Sequence, residues 1–211
     1  MAYDLYVITD EEIGRGRSHA ELTRLAVTGG ADAVQLRDKR LSSRELFLTA
    51  VVVRRITRDA GALFIMNDRL DVALAAGADG VHLGENDLPI EEARRLAPPG
   101  FIIGASVSSV ATAARAAAAG ADYVALSPTF ATGSKDDAGP GHGLTMLTEI
   151  RQAISIPLIA IGGITAENVG DVIAAGADGV AVISAVVGKT DVTAAAQEIR
   201  GRIAGAKVRS H

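Results

Sequence analysis

A chain of 211 residues, 48% hydrophobic and 22% charged, is long enough to bury one core. Its 21 basic residues against 25 acidic ones, a net charge of −4, give no footprint for nucleic acid or an anionic membrane, so any anion site must be local. The absence of cysteine removes disulfides and thiolate metal sites, and aromatics at 3% with no tryptophan argue against platforms for stacking bases.

The opening MAYDLYVITDEE has no basic flank before a signal-like apolar core, and no run approaches the roughly 18 apolar residues of a membrane span. A cytoplasmic protein is expected, with one domain over residues 1–211. Short β-branched runs then recur in order: DLYVIT from 4, AVQLR from 33, LFIMND from 63, GVHLG from 80, FIIGAS from 101, YVALSP from 123, LIAIGG from 158 and GVAVIS from 179. Segments of helical spacing separate them, such as RELFLTAVVVRRITRDA and the alanine-rich VATAARAAAAG. Continuous apolar strands alternating with helices call for a parallel sheet covered on its outer face, and eight such units predict a closed (β/α)8 TIM barrel. The tripeptide GAD at 30, 77, 120 and 176 supports closure, because it precedes every second strand. Its glycine supplies a positive φ at a helix stop and its aspartate enters the strand. An open doubly wound sheet is the alternative, without a reason for that regularity.

Barrel chemistry gathers at the carboxyl ends of the strands. Strand two ends in Gln35, Arg37 and Lys39, whose spacing of two aims them alike. Strand three ends in Asn67 and Asp68, strand four runs into Glu85, Asn86 and Asp87, and strand five ends in Ser106. Strand six opens into TFATGSKDDAGPGHG, residues 129–143, carrying Thr132, Gly133, Ser134 and Lys135. A glycine-rich loop of that length with one large apolar side chain reads as an active-site lid worked by Lys135. Cations facing carboxylates across one mouth suit an anion held together with a hard divalent ion, for which Asp68 and Asp87 are the candidate ligands. The bland alternative makes Asp68 a helix cap and Asp87 a solvated turn residue. IGGIT at 161–165 sets glycines at an expected helix start, where N–H groups favour phosphate, and Ile183 and Ser184 follow strand eight. His82 reads as a packed, satisfied histidine, His142 has no assignable partner, and Arg54, Arg55 and Arg58 read as an exposed helix face.

With QLRDK at 35–39, NDR at 67–69, GVHLG and Asp87 at 80–87, PTFATGSK, IGGI and VISA, the chain resembles thiamine phosphate synthases along nearly its whole length. The resemblance implies a TIM barrel that joins hydroxymethylpyrimidine diphosphate to a thiazole phosphate and releases diphosphate with Mg²⁺ bound. It implies Gln35, Arg37, Lys39, Asn67, Ser106 and Lys135 on the pyrimidine diphosphate, with Arg37, Lys39, Ser106 and Lys135 taking part in catalysis. Asp68 and Asp87 fall on Mg²⁺, and Thr132, Gly133, Ser134, Gly163, Ile183 and Ser184 surround the thiazole phosphate. TenI-like thiazole tautomerases share the barrel but use a histidine two residues beyond Ser106, where this chain has Ser108. The GPGHGL run after Lys135 reads somewhat like that sister family, and a non-catalytic phosphate-binding barrel is the third reading. A homo-oligomer is left open.

Overall fold

The computed structural model describes residues 4–133 and 140–209. Strands and helices alternate as β1 (Leu5–Thr9), α1 (His19–Thr28), β2 (Ala33–Leu36), α2 (Ser43–Asp59), β3 (Leu63–Asn67), α3 (Leu70–Ala76), β4 (Gly80–Leu83) and α4 (Ile90–Leu96). They continue as β5 (Ile102–Val107), α5 (Val110–Ala118), β6 (Tyr123–Leu126), α6 (Gly143–Ala153), β7 (Leu158–Ile161), α7 (Val169–Ala174), β8 (Gly179–Val182) and α8 (Val192–Arg209). Every strand pairs in parallel with its sequence neighbour, and β8 pairs back to β1 through Leu5 opposite Val180, which closes the barrel. A parallel strand needs a crossover to reach its neighbour, and the helices supply it while covering the outer face. The open sheet is therefore excluded.

Local sequence explains several element ends. Ser42 accepts from Glu45 N–H while the Glu45 carboxylate accepts from Ser42 N–H, a reciprocal cap on α2, and Ser109 and Thr112 do the same for α5. The four GAD glycines, Gly30, Gly77, Gly120 and Gly176, have φ of 91°, 66°, 95° and 108°, a region that costs other residues strain. The four aspartates that follow do more than enter the strand. Asp32, Asp79, Asp122 and Asp178 each accept the first free N–H of the preceding strand, from Leu5, Phe64, Ile103 and Leu158 at 2.7–3.0 Å. Each also meets an arginine from a helix outside: Arg200, Arg54, Arg94 and Arg151. The quarter-unit repeat is thus a set of ion-paired latches at the amino-terminal end of the barrel. Arg54 departs from the exposed-face expectation for this reason, since its guanidinium turns down to Asp79 at 2.6 Å.

The barrel interior is filled by side chains alternating along each strand. Tyr6 and Tyr123 meet edge to face at 6.2 Å between ring centroids, and His82 stacks on Tyr123 at 5.6 Å. Gly104 makes room for them: a Cβ there would stand 2.0 Å from Tyr123 Cζ. No helix among the described residues is long and apolar enough to cross a membrane.

Candidate active site

A cavity of about 320 Å³ opens at the carboxyl ends of the strands. Arg37 and Lys39 line one wall, Asn67, Asp68 and Asp87 the next, Ser106 and His82 the floor, and Thr132, Gly163, Ile183 and Ser184 the far side. Ten of the fourteen residues singled out from the sequence therefore share one cavity of a size that holds a small ligand. Gln35 lies one layer below: it is 2% exposed and donates to the Tyr6 hydroxyl at 2.7 Å, outside the cavity lining. Gly133 is exposed beyond the rim. Ser134 and Lys135, and with them the centre of the expected lid, lie outside the described residues.

The cationic wall is built from β2 and its loop. Arg37 directly follows the strand end at Leu36 and Lys39 lies two residues further on, so both reach the cavity from the loop rather than by strand alternation. Asp10, just beyond β1, pairs with Arg37 at 3.4 Å while its other oxygen accepts the N–H groups of Glu12 and Ile13 at 3.0 Å. Sequence reasoning passed over Asp10, although its place at a strand's carboxyl end was the available signal.

The acidic wall is half-buried, and at Asp68 its backbone is strained. Asp68 holds φ at 60°, a left-handed conformation unusual for any residue but glycine. It does not cap α3, whose preceding residue Arg69 makes no side-chain cap. Burial, then the hydrogen bond and charge of Asp87, push the Asp68 carboxyl from 3.8 up to about 6, with Lys39 and Asn67 pulling the other way. Asp87 accepts the Gly84 N–H at 2.7 Å, which fixes its oxygen at the rim. Two crowded carboxylates that repel each other, beside two cations, are a donor set that fits a hard divalent ion completing its shell with water and phosphate oxygens. Among the described residues no cluster of three or more metal-ligating side chains exists, so no all-protein cage competes with that arrangement.

A hydrogen-bonded chain runs beneath the floor. Ser106 Oγ meets His82 Nε2 at 2.9 Å, His82 Nδ1 meets the Tyr123 hydroxyl at 3.0 Å, and that hydroxyl meets Tyr6 at 3.2 Å. His82 is packed and satisfied as expected, and it also holds Ser106 facing the cavity. Ser108 donates to Glu85 at 2.9 Å on the rim.

The phosphate-side glycines need a correction. Gly162 and Gly163 have φ of 97° and 65°, which turns the chain away from an immediate helix, and α7 begins only at Val169. Asn168 fills the interval, accepting from Thr165 N–H and donating to the Gly163 carbonyl, both at 2.8 Å. A Cβ on Gly162 would meet Pro128 at 2.6 Å, and one on Gly163 would meet Phe130 at 2.7 Å. The glycines therefore let the segment after β6 lie against the end of β7, where Thr129 and Phe130 donate to Ile161 and Gly162 carbonyls. The returning chain is tied at the same place, His142 and Gly143 donating to Pro128 and Thr129 carbonyls. His142 is thus held through its backbone N–H.

Residues 5–186 match the family model described as thiamine monophosphate synthase. The chain is 76% identical to the thiamine-phosphate synthase of Methanoculleus marisnigri over 98% of both chains, and 62% identical to that of Methanoregula boonei over 98% of this chain and 96% of the other. Among solved structures it is similar to the thiamine phosphate pyrophosphorylase of Pyrococcus furiosus, with a TM-score of 0.90 and 44% identity over 97% of this chain and 96% of that one. A 3-hexulose-6-phosphate synthase, at 21% identity and a TM-score of 0.74, shares the barrel alone. Sequence motifs, barrel and relatives converge, and the chain belongs to the thiamine monophosphate synthase family.

Proposed function

We propose that the chain joins hydroxymethylpyrimidine diphosphate to a thiazole phosphate, forming thiamine phosphate and releasing diphosphate, with Mg²⁺ held by Asp68 and Asp87. The observation that carries this reading is that Arg37 and Lys39 line the same cavity as the Asp68–Asp87 pair, with Lys39 near enough to pull the Asp68 carboxyl down. A diphosphate leaving group brings several negative charges, and it departs with the electron pair of the carbon–oxygen bond to the pyrimidine's methylene. Arg37 and Lys39 offset charge on its oxygens, and Lys135 is assigned the same task from the sequence. Bound Mg²⁺ would supply further neutralisation of the same oxygens. The methylene cation left behind is taken by the thiazole nitrogen, a step that needs no general base. Ser106, fixed by His82, is suited to orient the pyrimidine at the floor. Thr132, Gly163, Ile183 and Ser184, with Ser134 and Gly133, are assigned to the second phosphate, and Gln35 supports the pyrimidine end from below.

Such a reaction makes phosphorylated small molecules the partners and the cytoplasm the expected location. The thiazole tautomerase reading draws no support from the rim, where Ser108 donates to Glu85 in the place of the histidine that reading needs. Incubating the protein with both substrates and Mg²⁺ tests the proposal: thiamine phosphate and diphosphate should appear in equal amounts. Tautomerisation alone, or binding with no turnover, would favour the two other readings.

A further inference from the structure

One buried group of polar side chains stands outside the cavity and takes no part in the chemistry above. His19, at the start of α1, is 1% exposed, and its ring bridges two elements: Nδ1 meets Thr9 Oγ1 at 2.8 Å and Nε2 meets Asp38 Oδ2 at 3.2 Å. Asp38 sits between Arg37 and Lys39 in the sequence, with its side chain 5% exposed. Its other oxygen accepts the N–H groups of Arg40 at 2.7 Å and Leu41 at 3.0 Å. Thr9 in turn donates to the Gln35 carbonyl at 3.1 Å, and the His19 N–H donates to Glu11 at 3.1 Å. The loop after β2 is thus tied at its centre to α1 and to the end of β1 by side chains that water barely reaches.

We propose that His19 and Asp38 are positioning residues, a buried clamp that holds the β2–α2 loop so that Arg37 and Lys39 meet the diphosphate. This rests on the proposed function insofar as those two cations bind that group. Burying a carboxylate is costly unless it is paired, and Asp38 is paired on both oxygens, by the His19 ring on one and by the Arg40 and Leu41 N–H groups on the other. Burial, the largest influence, pulls the Asp38 carboxyl upward, yet the Arg40 and Leu41 N–H groups and the His19 ring hold it below the ordinary range. An ionised Asp38 only accepts, so the proton in the His19–Asp38 bond belongs to Nε2. Arg37 is tied a second time by Asp10, which leaves loop position and side-chain direction separately fixed.

The sign of one substitution separates positioning from charge. Asp38→Ala removes a negative charge next to Arg37 and Lys39, which by Coulomb attraction alone would tighten anion binding. A clamp predicts the reverse: in calorimetry with inorganic diphosphate and Mg²⁺, Asp38→Ala should loosen binding about tenfold or more, and His19→Leu should do the same. Asp38→Asn should stay close to the parent, because its oxygen still serves Arg40 and Leu41 while its amide donates to Nε2 once that nitrogen has given up its proton, Nδ1 keeping the proton it offers to Thr9, whose own hydroxyl is given to the Gln35 carbonyl. Imidazole nitrogen NMR reads this without any ligand: Nε2 of His19 should carry a proton in the parent and lose it in Asp38→Asn, a readout that remains should the alanine or leucine variant not fold. Unchanged or tighter binding in Asp38→Ala, or an unprotonated Nε2 in the parent, overturns the clamp. Arg37→Ala distinguishes the levels: if it binds diphosphate like the parent, the anion-site reading falls, whereas loosening there without loosening in the Asp38 and His19 variants removes the clamp alone.

Discussion

Replacing Asp68 by Asn should make the metal-free protein more stable and the enzyme much worse. Asn is the best-tolerated residue besides glycine at the φ of 60° held here, so no backbone strain is added. Its amide can donate to Asp87, as a protonated Asp68 would. A carboxyl raised from 3.8 to about 6 opposes folding by at most about 3 kcal/mol once fully ionised. Because Asp68 is only half-buried, solvent screening reduces this to roughly 1–2 kcal/mol. The sign follows from the raised value: the folded state holds the proton that the unfolded chain has lost between 3.8 and about 6, so the parent loses stability relative to the variant as pH rises through that window. Urea denaturation in EDTA should find the two proteins alike near the lower limit and the variant ahead by that amount well above the upper one. Mg²⁺ with diphosphate should stabilise the parent and hardly affect the variant, whose turnover should fall by about a hundredfold or more. A variant no more stable than the parent in EDTA above pH 6, or one stabilised equally by Mg²⁺ and diphosphate, would refute this account of the pair.

Lys135→Ala should lower turnover by about a hundredfold with stability unchanged, measured as product formation beside thermal melting; full activity would remove Lys135 from the leaving-group site. Gly104→Ala should destabilise the fold by about 1–3 kcal/mol in denaturant titration, because the added methyl has Tyr123 Cζ 2.0 Å away. Asp79→Ala strips both the Phe64 N–H and Arg54 of their acceptor and should cost about 2 kcal/mol of stability while leaving substrate affinity intact, since the latch lies at the opposite end of the barrel from the cavity.

The eight strands were legible because each is buried on both faces and so reads as an unbroken apolar run, and the GAD repeat was legible because its glycines need positive φ. What the aspartates hold was not, since Arg54 and Arg200 reach them from helices distant in sequence. Arg54 looked solvated for the same reason: one helix face meets the barrel's lower edge only after closure. Arg37, Asp68, Asp87 and Ser106, read from strand ends, do line the cavity, whereas Gln35 shows the limit of that rule, as two residues of β2 move a side chain a full layer down. The bond between His19 and Asp38 joins α1 to the loop after β2, and no local periodicity announces it. The late start of α7 was hidden because a double glycine is compatible with either a helix entry or a turn.

Product formation with the metal controlled tests the central claim most directly. The purified protein, stripped with EDTA and given hydroxymethylpyrimidine diphosphate and thiazole phosphate, should form almost no thiamine phosphate, and adding Mg²⁺ should restore synthesis in the parent but not in Asp87→Ala. Undiminished synthesis in EDTA, or full activity in Asp87→Ala, would contradict a carboxylate-held metal beside Arg37 and Lys39 as the basis of catalysis.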